Sequence, residues 1–323
     1  MSDISSKPVL GVDLGGTKIL AAVVTSEGIK LGSAKNPTEA EQGVEHALEN
    51  LTLTINQALQ DAGLGPTDLA GIGMGCPGPL DPDEGIIIAP PNLPGWVNLP
   101  LKARLEAAFG VPVFIDNDVN VGTFGEYVYG AAQGADPVVG FFVGTGIGGG
   151  IIIGGRIFRG FSKNAGEFGH ATLDPKGPRC GCGNKGCLEA FSSRTAINAY
   201  LSNAARSGKA ASQFAEGERI RSRALAKAYA AGDEAVVKAI DRSSKYLGIA
   251  VANAINIIGP EVVVIGGGML EAFGKVYLER ARKYAHRYAL PHCIEKARIV
   301  AAALEDDAAI LCAAALARLE LIL

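Results

Sequence analysis

The sequence predicts an α/β protein made of two related domains with a ligand cleft between them, and three observations carry that expectation. Short apolar runs at 9–14 and 19–24 flank Gly15-Gly16, a pattern that reads as strand, tight turn, strand. The same pattern returns at 138–143 and 151–153 around the glycines of 144–150. Glycine also supplies 43 of 323 residues, about 13% against a usual ~7%. It is gathered behind apolar runs, where backbone must turn sharply or come close to something.

The elements follow in order. After the first hairpin, Thr38 with Glu41 three places on forms a capping-box pattern, so a helix is expected over 38–62. Val44, Leu48, Leu51, Ile55 and Leu59 share its apolar face. Residues 70–74 read as a strand entering the loop CPGPLD, Leu101–Phe109 as a helix, and VPVFI as a strand ending at Ile115. DNDVN (116–120) follows, then a helix running through 126–129. In the second half, 138–143 and 151–153 are strands around a glycine turn at 144–150. Helices are expected over 193–207, 219–231 and 233–257, a strand over 261–265 and a helix over 271–288. A strand at 298–303 and a closing helix at 307–323 complete the chain.

Composition excludes several classes. Apolar residues at 48% and charged residues at 20% are an ordinary globular balance. A net charge of −3 offers no electrostatic footprint for nucleic acid. No apolar run approaches the ~18–20 residues that span a bilayer. The N-terminal MSDISSKPVLGVDLGG lacks the basic-then-apolar pattern of an export signal, so a cytoplasmic protein with reduced thiols is expected.

The glycine clusters point to a phosphate ligand. GTGIGG (144–149) fits G-x-G-x-x-G, but IIIGG follows where a dinucleotide fingerprint needs a helix. No Lys-Ser/Thr pair ends any cluster, so none is a P-loop. What remains is a hairpin turn whose N–H groups can face a phosphate. DLGGTK (13–18) has the same form and adds Asp13, Thr17 and Lys18. Asp13, in an apolar strand, could serve Mg²⁺ beside the phosphates or simply hydrogen-bond its own turn. The third cluster, Gly266, Gly267 and Gly268, favours the ligand reading for the set.

In DNDVN, Asn117 or Asp118 sits where a helix begins. An N-cap accounts for one such residue. The same place favours an ionised carboxylate able to accept a proton from a substrate hydroxyl. Both readings stand at this point.

His170, Cys180, Cys182 and Cys187 have the spacing H-x9-C-x-C-x4-C, the donor set of a closed, structural Zn²⁺ site. Glycines at 177, 181, 183 and 186 let the loop fold tightly. Glu167 and Glu189 flank the set, so a metal that fixes the loop also fixes two carboxylates suited to sugar hydroxyls.

GVDLGGTK, GCPGPLD, DNDVN, GTGIGGG, EFGH…CGCGNKGCLE and VIGGGM, in this order, resemble the ROK family of sugar kinases and repressors over nearly the whole chain. The resemblance implies two actin-like, ribonuclease H-like domains closing on sugar and ATP. They would comprise a small domain at 1–119 completed by a helix at 304–323, and a larger one at 120–303 with the zinc loop. It implies phosphorylation of the glucose 6-hydroxyl, with Asp118 as the base. Gly78, Asn117, Glu167, His170 and Glu189 would bind the sugar. Gly15, Gly16, Thr17, Lys18, Gly144, Thr145 and Gly146 would hold phosphates, with Asp13 serving Mg²⁺. Gly266–Gly268 would lie against adenosine. Relatives also imply a homodimer or homotetramer. One departure is Asp116, often Glu in the family, from which little consequence is expected. Eight residues before the first strand leave no room for the repressors' helix-turn-helix. The alternatives are a kinase of N-acetylglucosamine or N-acetylmannosamine, with loop 76–98 deciding, and a non-catalytic sugar sensor.

Overall fold

The computed structural model describes residues 6–90, 92–207, 214, 217–304 and 308–322. Contacts divide the chain into two units, one of Met1–Gln133, Arg159–Ala165 and Leu304–Leu323, the other of Gly134–Phe158 and Gly166–Ala303.

The first unit opens with β1 (Val9–Leu14), β2 (Lys18–Val24), β3 (Lys30–Pro37) and α1 (Val44–Asp61). β4 (Ile72–Cys76) follows, with three two-residue strands, β5 (Leu80–Asp81), β6 (Ile86–Ile87) and β7 (Leu99–Pro100). α2 (Leu101–Phe109), β8 (Val113–Asn117) and α3 (Asp118–Val128) come next. The main sheet runs β3-β2-β1-β4-β8. Its strands β1, β4 and β8 are parallel, and β2 and β3 are antiparallel additions. α1 buries Leu48, Leu51, Ile55 and Leu59 in a core with Leu10, Val12, Met74 and Ile115.

The second unit contains β9 (Val138–Val143), β10 (Ile147–Ile153), β11 (Arg156–Ile157), α4 (Glu189–Ser192), α5 (Arg194–Ser207), α6 (Ser222–Ala230) and α7 (Glu234–Ile258). It continues with β12 (Val262–Gly266), α8 (Gly268–Phe273), α9 (Lys275–Tyr288), α10 (Pro291–Ile294) and β13 (Arg298–Ala301). Its sheet runs β11-β10-β9-β12-β13, with β9, β12 and β13 parallel. The strand order and directions repeat those of the first sheet. Its core joins Val139, Phe141, Val263 and Ile265 to Leu247, Val251 and Ile255 of α7 and Tyr277 of α9.

The last helix, α11 (Ala308–Ile322), belongs to the first unit. It lies directly on β1 and β4 because Gly11 and Gly73, paired across those strands, have no side chains there. A Cβ at Gly11 would come within 2.1 Å of Ile310 O, and one at Gly73 within 1.9 Å of Ala313 O. Buried Ala313, Ala314 and Ala317 let the helix backbone approach equally closely.

Several boundaries differ from expectation. The helix expected over 38–62 begins at Val44, capped by Gly43 (φ 108°) after a 3₁₀ turn. Thr38 is not in a capping box: it is fully buried, and its hydroxyl donates to Gly15 O at 2.6 Å. β3 was not foreseen, because its residues KLGSAKNP are mostly polar and only Gly32 is buried. Gly148, Gly149 and Gly150 lie in β10, so the second hairpin turn is confined to 144–146. A Cβ at Gly149 would meet the Phe168 ring at 2.3 Å, so packing explains that glycine. The helix expected over 271–288 divides at Gly274 (φ 54°) into α8 and α9. Positions 307 and 323 of the expected closing helix lie outside the described residues. Among the described residues, no helix is long and apolar enough to cross a membrane.

Candidate active site

In the first unit, the sequence-predicted residues gather at the carboxyl ends of the parallel strands, where α/β sheets bind ligands. Asp13 is near the end of β1, Gly78 lies just past β4, and Asn117 and Asp118 join β8 to α3. The buried thiol of Cys76, at the end of β4, registers their proximity. Burial pushes its pKa well up, and the charges of Asp118, Asp13 and Asp116 add to the shift.

The three polar residues of DND have distinct tasks. Asn117 is the N-cap of α3, its Oδ1 accepting from Val119 N–H at 3.0 Å. Asp116 is buried and accepts from Asn117 N–H (2.7 Å), Asn120 Nδ2 (2.9 Å) and Arg159 Nε (2.6 Å). Arg159 reaches Glu320 of α11 with Nη2 at 2.8 Å. Asp118 is different, because its side chain is open to solvent. The surrounding protein still desolvates the carboxyl and, with the charge of Asp13, raises its pKa to about 6. Val119 N–H, donating to Asp118 Oδ1 at 2.9 Å, opposes that rise. A reachable carboxylate with a raised pKa at a helix start has the properties of a general base.

The first glycine turn is closed by Gly15 N–H donating to Lys18 O at 3.0 Å. Thr38 clamps it twice, through its hydroxyl on Gly15 O and its N–H to Thr17 O at 3.0 Å. Gly16 is needed because a Cβ would come within 2.6 Å of Asn92 O. Buried Leu93 and Trp96 anchor the loop that carries Asn92. Gly78 faces Asn117, whose Nδ2 would lie 3.2 Å from a Cβ there.

In the second unit, Gly144 N–H donates to Gly146 O at 2.9 Å, closing the second turn. Pairing of β12 with β9 brings the third glycine cluster beside it. Gly267 (φ 87°) packs on Val143, whose O would be 2.8 Å from a Cβ. Glu189, the first residue of α4, accepts from Ile147 N–H at 2.9 Å through Oε2. Its Oε1 is 3.7 Å from Cys180 Sγ, so this carboxylate bridges the glycine turn and the cysteine loop. Glu167 precedes the 3₁₀ turn Phe168–His170 with an exposed side chain.

The cysteine loop brings its four predicted ligands together. One donor atom from each of His170, Cys180, Cys182 and Cys187 lies within 4.8 Å of the others. His170 Nδ1 is 3.7 Å from Cys180 Sγ, and Cys182 Sγ is 3.7 Å from Cys187 Sγ. A tetrahedron with Zn–S bonds of ~2.3 Å has edges of about 3.8 Å, so the spacing fits a zinc ion. Burial pushes the Cys180 thiol up to about 12 and raises Cys187, while the Asn184 N–H lowers Cys182. A dication would offset the cost of ionising three crowded sulfurs. Gly183 (φ 96°) and Gly186 (φ 73°) require their left-handed backbone, but Gly181 has open space and no such φ. Of the four glycines expected to let this loop fold tightly, Gly181 is therefore not required.

Three contributors were missed. Thr38 read as a cap, Asn92 sat in an undivided loop, and Arg159 lies 43 residues from Asp116 with no motif to link them.

The ROK family profile matches residues 9–320, and the chain belongs to the ROK family. Its fold is the two-domain, actin-like fold of that family's sugar kinases. The chain is 35% identical over 311 residues to the glucokinase of Thermotoga maritima, covering 95% of this chain and 96% of that one. It is 30% identical over 305 residues to the xylose repressor of Caldicellulosiruptor bescii, covering 94% of this chain and 76% of the repressor. The ROK hexokinase structure from Thermus thermophilus superposes with a TM-score of 0.84 at 37% identity, covering 97% of this chain and 98% of that one. A ROK family glucokinase from Streptomyces griseus, solved with glucose and AMPPNP, gives a TM-score of 0.78 at 32% identity, covering 97% and 99%.

Proposed function

We propose that the protein is an ATP-dependent sugar kinase that phosphorylates the 6-hydroxyl of glucose. The observation that carries the reading is Asp118, a solvent-reachable carboxylate at the head of α3 with a pKa raised to about 6. Asp118 takes the proton of the 6-hydroxyl as that oxygen attacks the γ-phosphorus and the bond to the β-phosphate oxygen breaks, releasing ADP. In the first unit, Asn117 and Gly78 are the candidates for sugar hydroxyls; in the second, Glu167, His170 and Glu189 are. In the first unit, the turn at 15–17 offers phosphate the N–H groups of Gly16 and Thr17, with Asp13 serving Mg²⁺; in the second, the turn at 144–146 offers those of Thr145 and Gly146, with Gly266–Gly268 against adenosine.

Zinc, when bound, supplies rigidity and no chemistry, because four protein ligands leave no open position. The chain's own contribution is to hold Glu189, whose carboxylate is fixed by Ile147 N–H on one side and adjoins Cys180 on the other. The glucokinase of T. maritima and the S. griseus structure with glucose and AMPPNP support the choice of sugar and nucleotide.

The test is ADP release from Mg-ATP with glucose, mannose, fructose, N-acetylglucosamine and N-acetylmannosamine at matched concentration. A large preference for glucose is expected. Preference for an acetylated sugar would keep the mechanism and change the substrate. Silence with every sugar would point first to another phosphoryl donor or acceptor, and to a sugar sensor if those failed too.

A further inference from the structure

The two sheets share one strand order, so the turn after β1 and the turn after β9 are topological equivalents. The first is followed by Lys18, the opening residue of β2. The opening residue of β10 is Ile147, so the second turn carries no cation of its own.

Arg194, the first residue of α5, supplies one from outside the hairpin. Its backbone N–H donates to Gly144 O at 2.9 Å, and its Nη2 donates to Thr145 Oγ1 at 2.5 Å. Thr195 fastens the same place, donating to Thr145 O from its N–H (3.3 Å) and its hydroxyl (2.8 Å). Among the described residues, Arg194 has no carboxylate partner; its guanidinium hydrogen-bonds a neutral hydroxyl. Behind the turn lies a fixed negative charge, Glu189, whose Oε2 would be 2.5 Å from a Cβ at Gly146. An anion arriving at the turn meets that charge and gains from the guanidinium held on Thr145.

We propose that Arg194 is a phosphate-binding residue, its guanidinium pairing with a phosphate oxygen of the nucleotide at the turn 144–146. Thr145 orients it, and the donors that Thr145 leaves unused are available to the phosphate. The inference rests on the kinase reading for the identity of the anion.

The experiment compares the full-length wild type with Arg194→Met, Arg194→Lys and Arg194→Gln by calorimetry against ATP, tripolyphosphate, adenosine and glucose. Arg194→Met should weaken ATP and tripolyphosphate by about 10-fold or more, the scale of one charge-assisted hydrogen bond. Adenosine and glucose should bind as before, and Arg194→Lys should recover part of the loss. Arg194→Gln keeps a donor for Thr145 without the charge, and should behave like Met even if the Met variant folds poorly. ATP and tripolyphosphate affinities within twofold of wild type would overturn the proposal. So would equal losses for adenosine and glucose, which would make Arg194 a mere prop for the turn. A wild type that binds ATP yet phosphorylates no sugar would sink the kinase reading and leave Arg194's role intact. A wild type that binds neither ATP nor tripolyphosphate would sink both.

Discussion

Asp116, Asn117 and Asp118 are consecutive, yet what each touches gives it separate work. Asp116 is enclosed by three donors, Asn117 closes the end of a helix, and Asp118 is left facing solvent. Asp118→Asn should lower turnover by about 10²–10⁴-fold, the usual scale for a lost general base, while sugar still binds in calorimetry. The wild-type rate should rise with pH through about 6 as Asp118 ionises. The linked effect on stability has the opposite sign. Because the folded carboxyl holds its proton above the ordinary 3.8, this group's contribution to stability is full below that value and is lost as pH rises to about 6. Turnover and thermal melts between pH 4 and 8 check both trends. Arg159→Met leaves the buried Asp116 without its cation and should cost on the order of 3 kcal/mol in urea unfolding, discounted for the partial exposure of Arg159. Asn117 and Asp118 were legible as candidates for cap and base, because a helix start has a local signature. The burial of Asp116 was not, because it depends on Arg159, which is distant in sequence.

The cysteine loop was the most legible element, since its four candidate ligands are all within 18 positions and the fold brings their donor atoms together. Its glycines were less so, because a sequence does not show which backbone is left-handed. Gly186→Ala should disrupt the loop: its φ is 73° and a Cβ would fall 1.6 Å from Asp174 O. Gly181→Ala should be silent, with nothing within 4 Å of the new Cβ. Metal analysis with glucose titration separates them, and Cys182→Ser should follow Gly186→Ala in losing zinc and sugar affinity. Full zinc content in Gly186→Ala would contradict the strain argument. β3 escaped notice for a different reason. It is a mostly polar edge strand on β2, and it lacks the alternation that marks half-buried strands.

At the level of the molecule, the glycine hairpins foretold a repeated design, and the two five-stranded sheets share one order. The apolar runs made this visible, because buried parallel strands read as continuous apolar segments. The seat of α11 was not visible, since Gly11 and Gly73 become informative only when paired. Removing residues 304–323 should leave the first unit unfolded, as β1 and β4 would expose the face that α11 covers. Limited proteolysis should cut within 6–133 in the truncated protein and spare it in the full chain. A protected first unit without α11 would show the helix to be dispensable. The same seat sets a clock on biosynthesis. A ribosome adding ~5–20 residues per second needs roughly 10–35 s to travel from the end of α3 to α11. For that interval the face of β1 and β4 that α11 covers stays open, so the first unit of a nascent chain completes its packing only when the end of the protein has been made.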